Sequence, residues 1–419
     1  FTLQAITNTP DYSLYTLTYP SVRIKKLSDT ETEALVLPQT MGRLLINPRS
    51  FPLQGTIKSP PNSPAQGLQF SAYYTIEREN LFYFGTQDPR GYYRTNDLTF
   101  APDFLGFALT HYPEHHLTPN IDYTTPYPVL IGSFKGDWFD VVEFYRPWAV
   151  STFASRGPLA TTTAISPAFH SLDLKASYGM EEDAAYRPRM INVLQEVQDF
   201  KNFFNRCPDP DMPGYVCDPS VNFDRFLVQL NSWHNNGFAA GMTGWPADYK
   251  PIHPAVMEVI KQLHLRGDLV VHYTFQNAFD TLSPQYSSTV ASNSLLNESS
   301  DLEIIFSPNP RDRLGVIPDP ATRWWRDFTR DMMVDHMDFG DDNPSYRGVG
   351  FDGAYWDVWS GAPPYLDYAT THGHPQGGGD YWLQGEKQRM QAVRTATRAI
   401  KPHVLYISEH ATEFFVNDL

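Results

Sequence analysis

Two patterns of apolar positions divide the chain. Through about residue 135 they come as short alternating runs, such as Tyr73-Tyr74-Thr75-Ile76 and Leu81-Phe82-Tyr83-Phe84. Clusters of Pro, Gly, Asn and Asp separate the runs, and Pro60-Pro61-Asn62-Ser63-Pro64 reads as an exposed turn. A period of two broken by turn residues predicts an N-terminal β-sandwich-like domain over 1–135. Near Gly136 the period changes. Trp138, Val141, Val142, Tyr145 and Trp148 recur at helical spacing. Asp137 suits the N-cap, and Pro147 should end or kink the helix. This predicts a linking helix within 136–155.

From 156 to 419 strand-like and helix-like segments alternate. Strands are expected at 169–177, 226–233, 268–275, 348–357 and 403–409. Helices are expected at 191–204, 253–266, 321–337 and 380–400. The second helix carries Val256, Val259, Ile260 and Leu263 on one face, with Gly267 after its end. The polar stretch 277–320 is too long for a plain connection and reads as a lid or insertion. Repeated βα units imply a parallel sheet with right-handed crossovers. A closed (β/α)8 TIM-type barrel needs eight strands, so about five units point to a barrel incomplete in this chain.

Two of these strands end on acids: Gly348 to Gly361 reads GVGFDGAYWDVWSG and Val404 to Glu413 reads VLYISEHATE. Alternation puts Gly353, Tyr355 and Asp357 on one face, while Asp352, near the strand start, is placed to cap or pair. Barrel active sites sit at the C-terminal strand tips, and glycosidic cleavage uses two facing carboxylates. Asp357 is therefore the candidate nucleophile and Glu409 the candidate acid/base. Glu413, four residues on, is the competitor and suits substrate binding or capping. A structural role for Asp357, ending its strand on loop amides, weighs about equally on local sequence alone. Trp233, Tyr273, Trp359 and Trp245 are candidate stacking platforms. His234, Gln276 and Asn277 are candidate donors and acceptors for sugar hydroxyls. Each alone fits core packing or a loop contact as well; their recurrence at successive strand tips favours a site.

Two clusters could suggest metal. His372 and His374 lie in a Gly-rich loop, but zinc needs further ligands that the local pattern does not supply, so the segment reads as a flexible polar loop near the site. Asp338, Asp341, Asp342 and Asn343 do not match a calcium loop and read as a solvated turn. No metal ligand and no cofactor are therefore assigned. G-x-S-x-G, a phosphate-cradling Gly motif and a Cys nucleophile are all missing from the sequence.

The net charge of −15 disfavours nucleic acid and anionic membranes as partners, and no apolar run is long enough to span a bilayer. Aromatic residues make up 14 %, which suits sugar stacking. Cys207 and Cys217 bracket a Pro/Gly/Asp loop whose closure as a disulfide would indicate an oxidising compartment; two free thiols are the alternative. Asn297-Glu298-Ser299 is a glycosylation sequon. The chain begins at Phe1, with neither initiator Met nor leader, as a mature or partial product would.

The segments GSFKGDWFDVVEFYRPWA, SWHNNGF, GFDGAYWDVWSG and KPHVLYISEHATEFF, with the block from Gly244 to Phe275, resemble a family of large glycosidase-like extracellular proteins. Those have a β-sandwich followed by a (β/α)8 barrel. More remotely, the acids at strands four and five are similar to those of endo-α-N-acetylgalactosaminidases and the alpha-amylase superfamily. The resemblance covers roughly 70–419. It implies Asp357 as nucleophile and Glu409 as acid/base of a secreted, retaining glycoside hydrolase acting on an oligo- or polysaccharide at an α-linkage. The later barrel strands, and with them any third acid, do not appear. The alternative is a non-catalytic carbohydrate-binding or assembly protein on the same scaffold.

Overall fold

The computed structural model describes residues 4–5, 10–26, 30–39, 42–50, 55–59, 67–154, 169, 172, 174–178, 181–182, 188–189, 193–205, 223–231, 233, 252–275, 277–281, 283, 285–306, 314–357, 362–408 and 412–417. The N-terminal part contains two antiparallel sheets. Their strands are β1 (Leu17–Lys25), β2 (Glu33–Leu37), β3 (Arg43–Ile46), β4 (Gly55–Ser59), β5 (Phe70–Thr75), β6 (Asn80–Thr86), β7 (Arg94–Phe100), β8 (Phe104–His111) and β9 (Val129–Lys135). One sheet has the order β9-β6-β5-β2-β3, the other β1-β8-β7-β4. Leu35, Tyr73 and Phe84 of the first share a core with Leu98, Phe107 and Leu109 of the second. The other face of the first sheet, including Val36, Ala72 and Tyr83, packs on Val141 and Tyr145. Burial on both faces explains why β2 and β5 are covered along their whole length.

Val141 and Tyr145 belong to α1 (Trp138–Phe153). Its start is a capping box: Phe139 N–H donates to Asp137 Oδ1 at 2.7 Å, and Asp137 N–H donates to Asp140 Oδ2 at 3.0 Å. The helix runs through Pro147 to Phe153, so the proline does not end it. Pro147 and Glu143 are both exposed, so the carbonyl that the missing N–H leaves without a helical partner lies on the solvent side of the helix.

Five parallel strands follow: β10 (Leu174–Tyr178), β11 (Phe226–Leu230), β12 (Leu269–Phe275), β13 (Gly353–Asp357) and β14 (Leu405–Ser408). They are hydrogen-bonded in sequence order. The helices between them are α2 (Val193–Phe204), α3 (Pro254–Leu265), α4 (Arg323–Met337) and α5 (Tyr381–Ile400). Strand residues Val228, Val270, Ala354, Trp356 and Tyr406 pack with Val197, Ile260, Met332 and Met390 of those helices. The alternate residues Leu227, Val271 and Leu405 form a separate cluster on the opposite face. All four helices thus cover one face of the sheet, unlike a doubly wound fold, in which helices cover both. A Cβ on Gly353 would lie 1.7 Å from the Leu405 carbonyl oxygen, so β13 and β14 approach where only glycine fits.

The 277–320 excursion contains a small antiparallel sheet of Phe279–Asp280, Leu314–Val316 and Ile304–Phe306. The loop from β13 to α5 rests on the N-terminal sheets: Tyr93 N–H donates to Gly379 O at 2.7 Å and Gly378 N–H to Pro113 O at 3.0 Å. A Cβ on Gly378 would come within 2.0 Å of the Tyr112 carbonyl oxygen, which explains the glycine there.

Candidate functional site

Asp357 ends β13 on the face that the helices leave uncovered, level with Phe275 of β12. The Tyr273 hydroxyl donates to Asp357 Oδ2. The Tyr273 ring stacks on Tyr355, with centroids 6.0 Å apart. Lys175 Nζ lies 4.5 Å from the Tyr355 ring centroid, and burial lowers the pKa of its amine. Farther along this end of the sheet, Gln229 Nε2 donates to Asn231 Oδ1 at 2.8 Å. Asn277 follows β12, and its Oδ1 and Nδ2 are buried without a hydrogen-bond partner among the described residues. A buried amide left in that state costs about 1–3 kcal/mol.

Asp352 behaves as its place near the strand start suggests. Its Oδ2 accepts from Val270 N–H at 2.8 Å and faces His264 Nε2 at 2.8 Å. Burial works to raise its pKa, but His264 and Lys401 more than offset this and hold the carboxyl below its ordinary value.

Three expectations change. Trp233 is fully buried, packed among His272, His336 and Phe351, with its indole N–H donating to Tyr273 O at 2.9 Å. It belongs to the core beneath the strand tips and has no open face for a sugar. Tyr273 is likewise buried, and it holds Asp357 by its hydroxyl rather than offering a platform. Glu413 lies against the N-terminal part, accepting from the Tyr145 hydroxyl at 2.5 Å. Burial pushes its pKa up to about 7, against the lowering effect of Tyr145, Gln69 and Arg94. Asn297 sits in a turn, its Oδ1 accepting from Ser299 and Asp301 N–H. His234, Trp245, Gln276, Trp359, Glu409, Cys207 and Cys217 lie outside the described residues.

The Gly-rich loop also differs from its reading as a flexible polar segment. Asp319, Asp367, His372 and His374 each present one ligand atom, and all four atoms lie within 4.8 Å of one another. His372 Nδ1 is 2.6 Å from Asp367 Oδ2 and 3.1 Å from Asp319 Oδ2. His374 Nε2 is 3.0 Å from Asp319 Oδ2 and 3.4 Å from Asp367 Oδ2. Burial lowers the pKa of both imidazoles, but the carboxylates outweigh it and bring His372 to about 9 and His374 to about 10. Asp367, which burial alone would raise, is held well below the usual carboxylate range by the two histidines. The H-x-H spacing was visible in sequence. Asp319, between two prolines just before α4, carried no comparable signal.

Two cavities among the described residues lie away from Asp357. One is lined by Tyr92, Tyr112, Glu114, Asp122 and Gly379, the other by Phe169, Asp352, Lys401 and Leu405. Burial raises the pKa of Glu114 in the first.

Residues 123–419 match the family described as "Domain of unknown function (DUF6259)", and the chain belongs to it. A relative from Bacteroides thetaiotaomicron, named "Putative glycoside hydrolase", is 22% identical over 316 residues, covering 75% of this chain and 41% of its own. The chain therefore spans about two fifths of that relative's length. The fold is similar to that of the α-N-acetylgalactosaminidase NagBb from Bifidobacterium bifidum, with TM-score 0.68, 12% identity, and coverage of 100% of this chain and 63% of that one. It is also similar to the GH36 α-galactosidase AgaA from Geobacillus stearothermophilus, with TM-score 0.50, 10% identity, and coverage of 93% and 48%.

Proposed function

We propose that the chain is the nucleophile-bearing part of a secreted, retaining glycoside hydrolase. Its substrate is an α-linked galactose or N-acetylgalactosamine unit of an oligo- or polysaccharide, the sugars that the names of the fold relatives print. The division into 1–135, 136–155 and 156–419, and closure of the parallel sheet into an eight-stranded barrel, belong to the same proposal. The observation that carries it is Asp357 at the tip of β13, on the uncovered face and held by the Tyr273 hydroxyl. Asp357 attacks the anomeric carbon and expels the aglycone oxygen, which Glu409 protonates. Glu409 then removes a proton from the water that hydrolyses the glycosyl-enzyme ester. Ser408 pairs with Trp356, and Glu409 follows it in sequence, one residue beyond the last described position of β14.

The test is a panel of aryl α-glycosides of galactose, N-acetylgalactosamine and glucose, assayed with wild type, Asp357→Asn and Glu409→Gln. Product anomers are followed by NMR. Retained configuration with loss of turnover in both variants supports the mechanism. Turnover in the variants matching wild type removes it. Binding without turnover in the wild type moves the chain to the carbohydrate-binding alternative.

A further inference from the structure

The cluster of Asp319, Asp367, His372 and His374 has the partners of a metal site as well as its ligands. His372 Nε2 faces Ser292 O at 3.1 Å, and His374 Nδ1 faces Pro375 O at 2.9 Å. Carbonyl oxygens only accept, so each of these nitrogens carries the N–H. A neutral imidazole then has its lone pair on the other nitrogen: Nδ1 of His372 and Nε2 of His374. Those are the atoms turned toward the carboxylates. Each carboxylate is fixed in the same way. Asp319 Oδ1 accepts from Ala321 N–H at 2.8 Å, and Asp367 Oδ1 from Leu296 N–H at 2.9 Å. That leaves both Oδ2 atoms pointing inward. The His374 ring is further held by a stack on Tyr381, with centroids 3.9 Å apart and planes 9° from parallel.

Two lone pairs facing two carboxylate oxygens repel unless positive charge lies between them. Either both imidazoles are doubly protonated or one divalent cation sits at the centre. Four donors tetrahedrally arranged at zinc distances stand about 3.3 Å from one another. Three of the four cross-pair separations, 3.0, 3.1 and 3.4 Å, are close to that, and the fourth is 2.6 Å. Two carboxylates and two neutral imidazoles also balance a 2+ ion in a site from which water is excluded. Outer hydrogen bonds from each ligand to the backbone are what fix ligand tautomer and orientation in metal sites.

We propose that Asp319 Oδ2, Asp367 Oδ2, His372 Nδ1 and His374 Nε2 bind one Zn2+ ion in a closed, structural N2O2 site. Asp319 ends the long excursion after β12. The other three ligands lie on the loop that leaves β13 just after Asp357. The ion ties these two loops together at the active-site end of the sheet. It takes no part in bond cleavage, because all four positions are filled by protein.

The test uses the full chain without a histidine tag, stripped with chelator and titrated with Co2+ and then Zn2+. The expected result is one equivalent bound. The cobalt form should show the intense visible absorption of tetrahedral coordination, zinc should displace it, and the melting temperature should rise on loading. His374→Gln and Asp367→Asn should each lose the cobalt spectrum. X-ray absorption on the zinc-loaded wild type should show two imidazole ligands, which keeps the test informative if a variant does not fold. A folded wild type, judged by near-UV circular dichroism, that takes up neither ion overturns the proposal in favour of the imidazolium form. Undiminished cobalt uptake in both folded variants also overturns it. None of these readouts uses glycoside turnover, so this inference and the proposed activity fail separately.

Discussion

The Tyr273 hydroxyl on β12 donates to Asp357 Oδ2 on β13, tying the tips of two neighbouring strands through one carboxylate. A hydrogen bond to a charged acceptor contributes about 1.5–3 kcal/mol, and here it also fixes the carboxylate rotamer. Tyr273→Phe should therefore slow turnover of an α-glycoside about tenfold to a hundredfold. Asp357→Asn should slow it at least about a thousandfold, which corresponds to roughly 4 kcal/mol of transition-state stabilisation. Steady-state kinetics on both variants check the ranking; a faster Asp357→Asn than Tyr273→Phe would reverse the assignment of roles.

Asn277 separates binding from folding. Its amide is buried with neither polar atom paired among the described residues. Asn277→Leu removes that cost, so the melting temperature should stay level or rise, while KM for the glycoside should increase. Thermal unfolding and Michaelis kinetics on one preparation give both numbers. A marked loss of stability at unchanged KM assigns the amide a purely structural role.

Trp233 should behave in the opposite way. It is fully buried among His272, His336 and Phe351. Trp233→Ala should destabilise the fold by about 3–5 kcal/mol, the usual cost of such a cavity. Denaturant unfolding measures this directly. A variant with wild-type stability and a raised KM would restore Trp233 as a sugar platform.

Glu413 predicts a pH dependence. Its folded pKa, raised by burial to about 7, exceeds the ordinary carboxyl value of 4.5. Between those two values the folded state holds more protons than the unfolded state. The stabilising contribution is therefore complete below about pH 4.5 and falls away as pH rises toward 7, by a total on the order of 3 kcal/mol. Glu413→Gln has no proton to lose. The stability difference between the variant and wild type should thus shift in the variant's favour from pH 5 to 7.5, read by denaturant titration at each pH. Parallel pH profiles for the two proteins contradict this.

The helices were located by their single helical period, and the parallel strands by short β-branched and aromatic runs that the structure buries on both faces. That pattern placed Asp352 and Asp357 at opposite ends of one strand. It could not tell which tip aromatics face outward. Trp233 lies three residues beyond the end of β11, where alternation no longer constrains direction, and its ring is buried in the core. The burial of Glu413 was not legible, because its partners Tyr145 and Gln69 lie hundreds of residues away. The buried cluster around His372 was half visible. The paired histidines are local, but Asp319 reaches them only through the packing of two loops. Pro147 signalled an end or a kink, and the helix runs on through it to Phe153.

The contact of Tyr145 with Glu413 makes the two halves of the molecule mutually dependent. The acid near the C-terminal end of the described chain is covered by the linking helix and by side chains of the first sheet. Either piece made alone would present an unfinished polar scar. Dissecting this protein at residue 155 should yield sticky, poorly soluble fragments, whereas co-expressing both pieces should allow them to recombine through that seam.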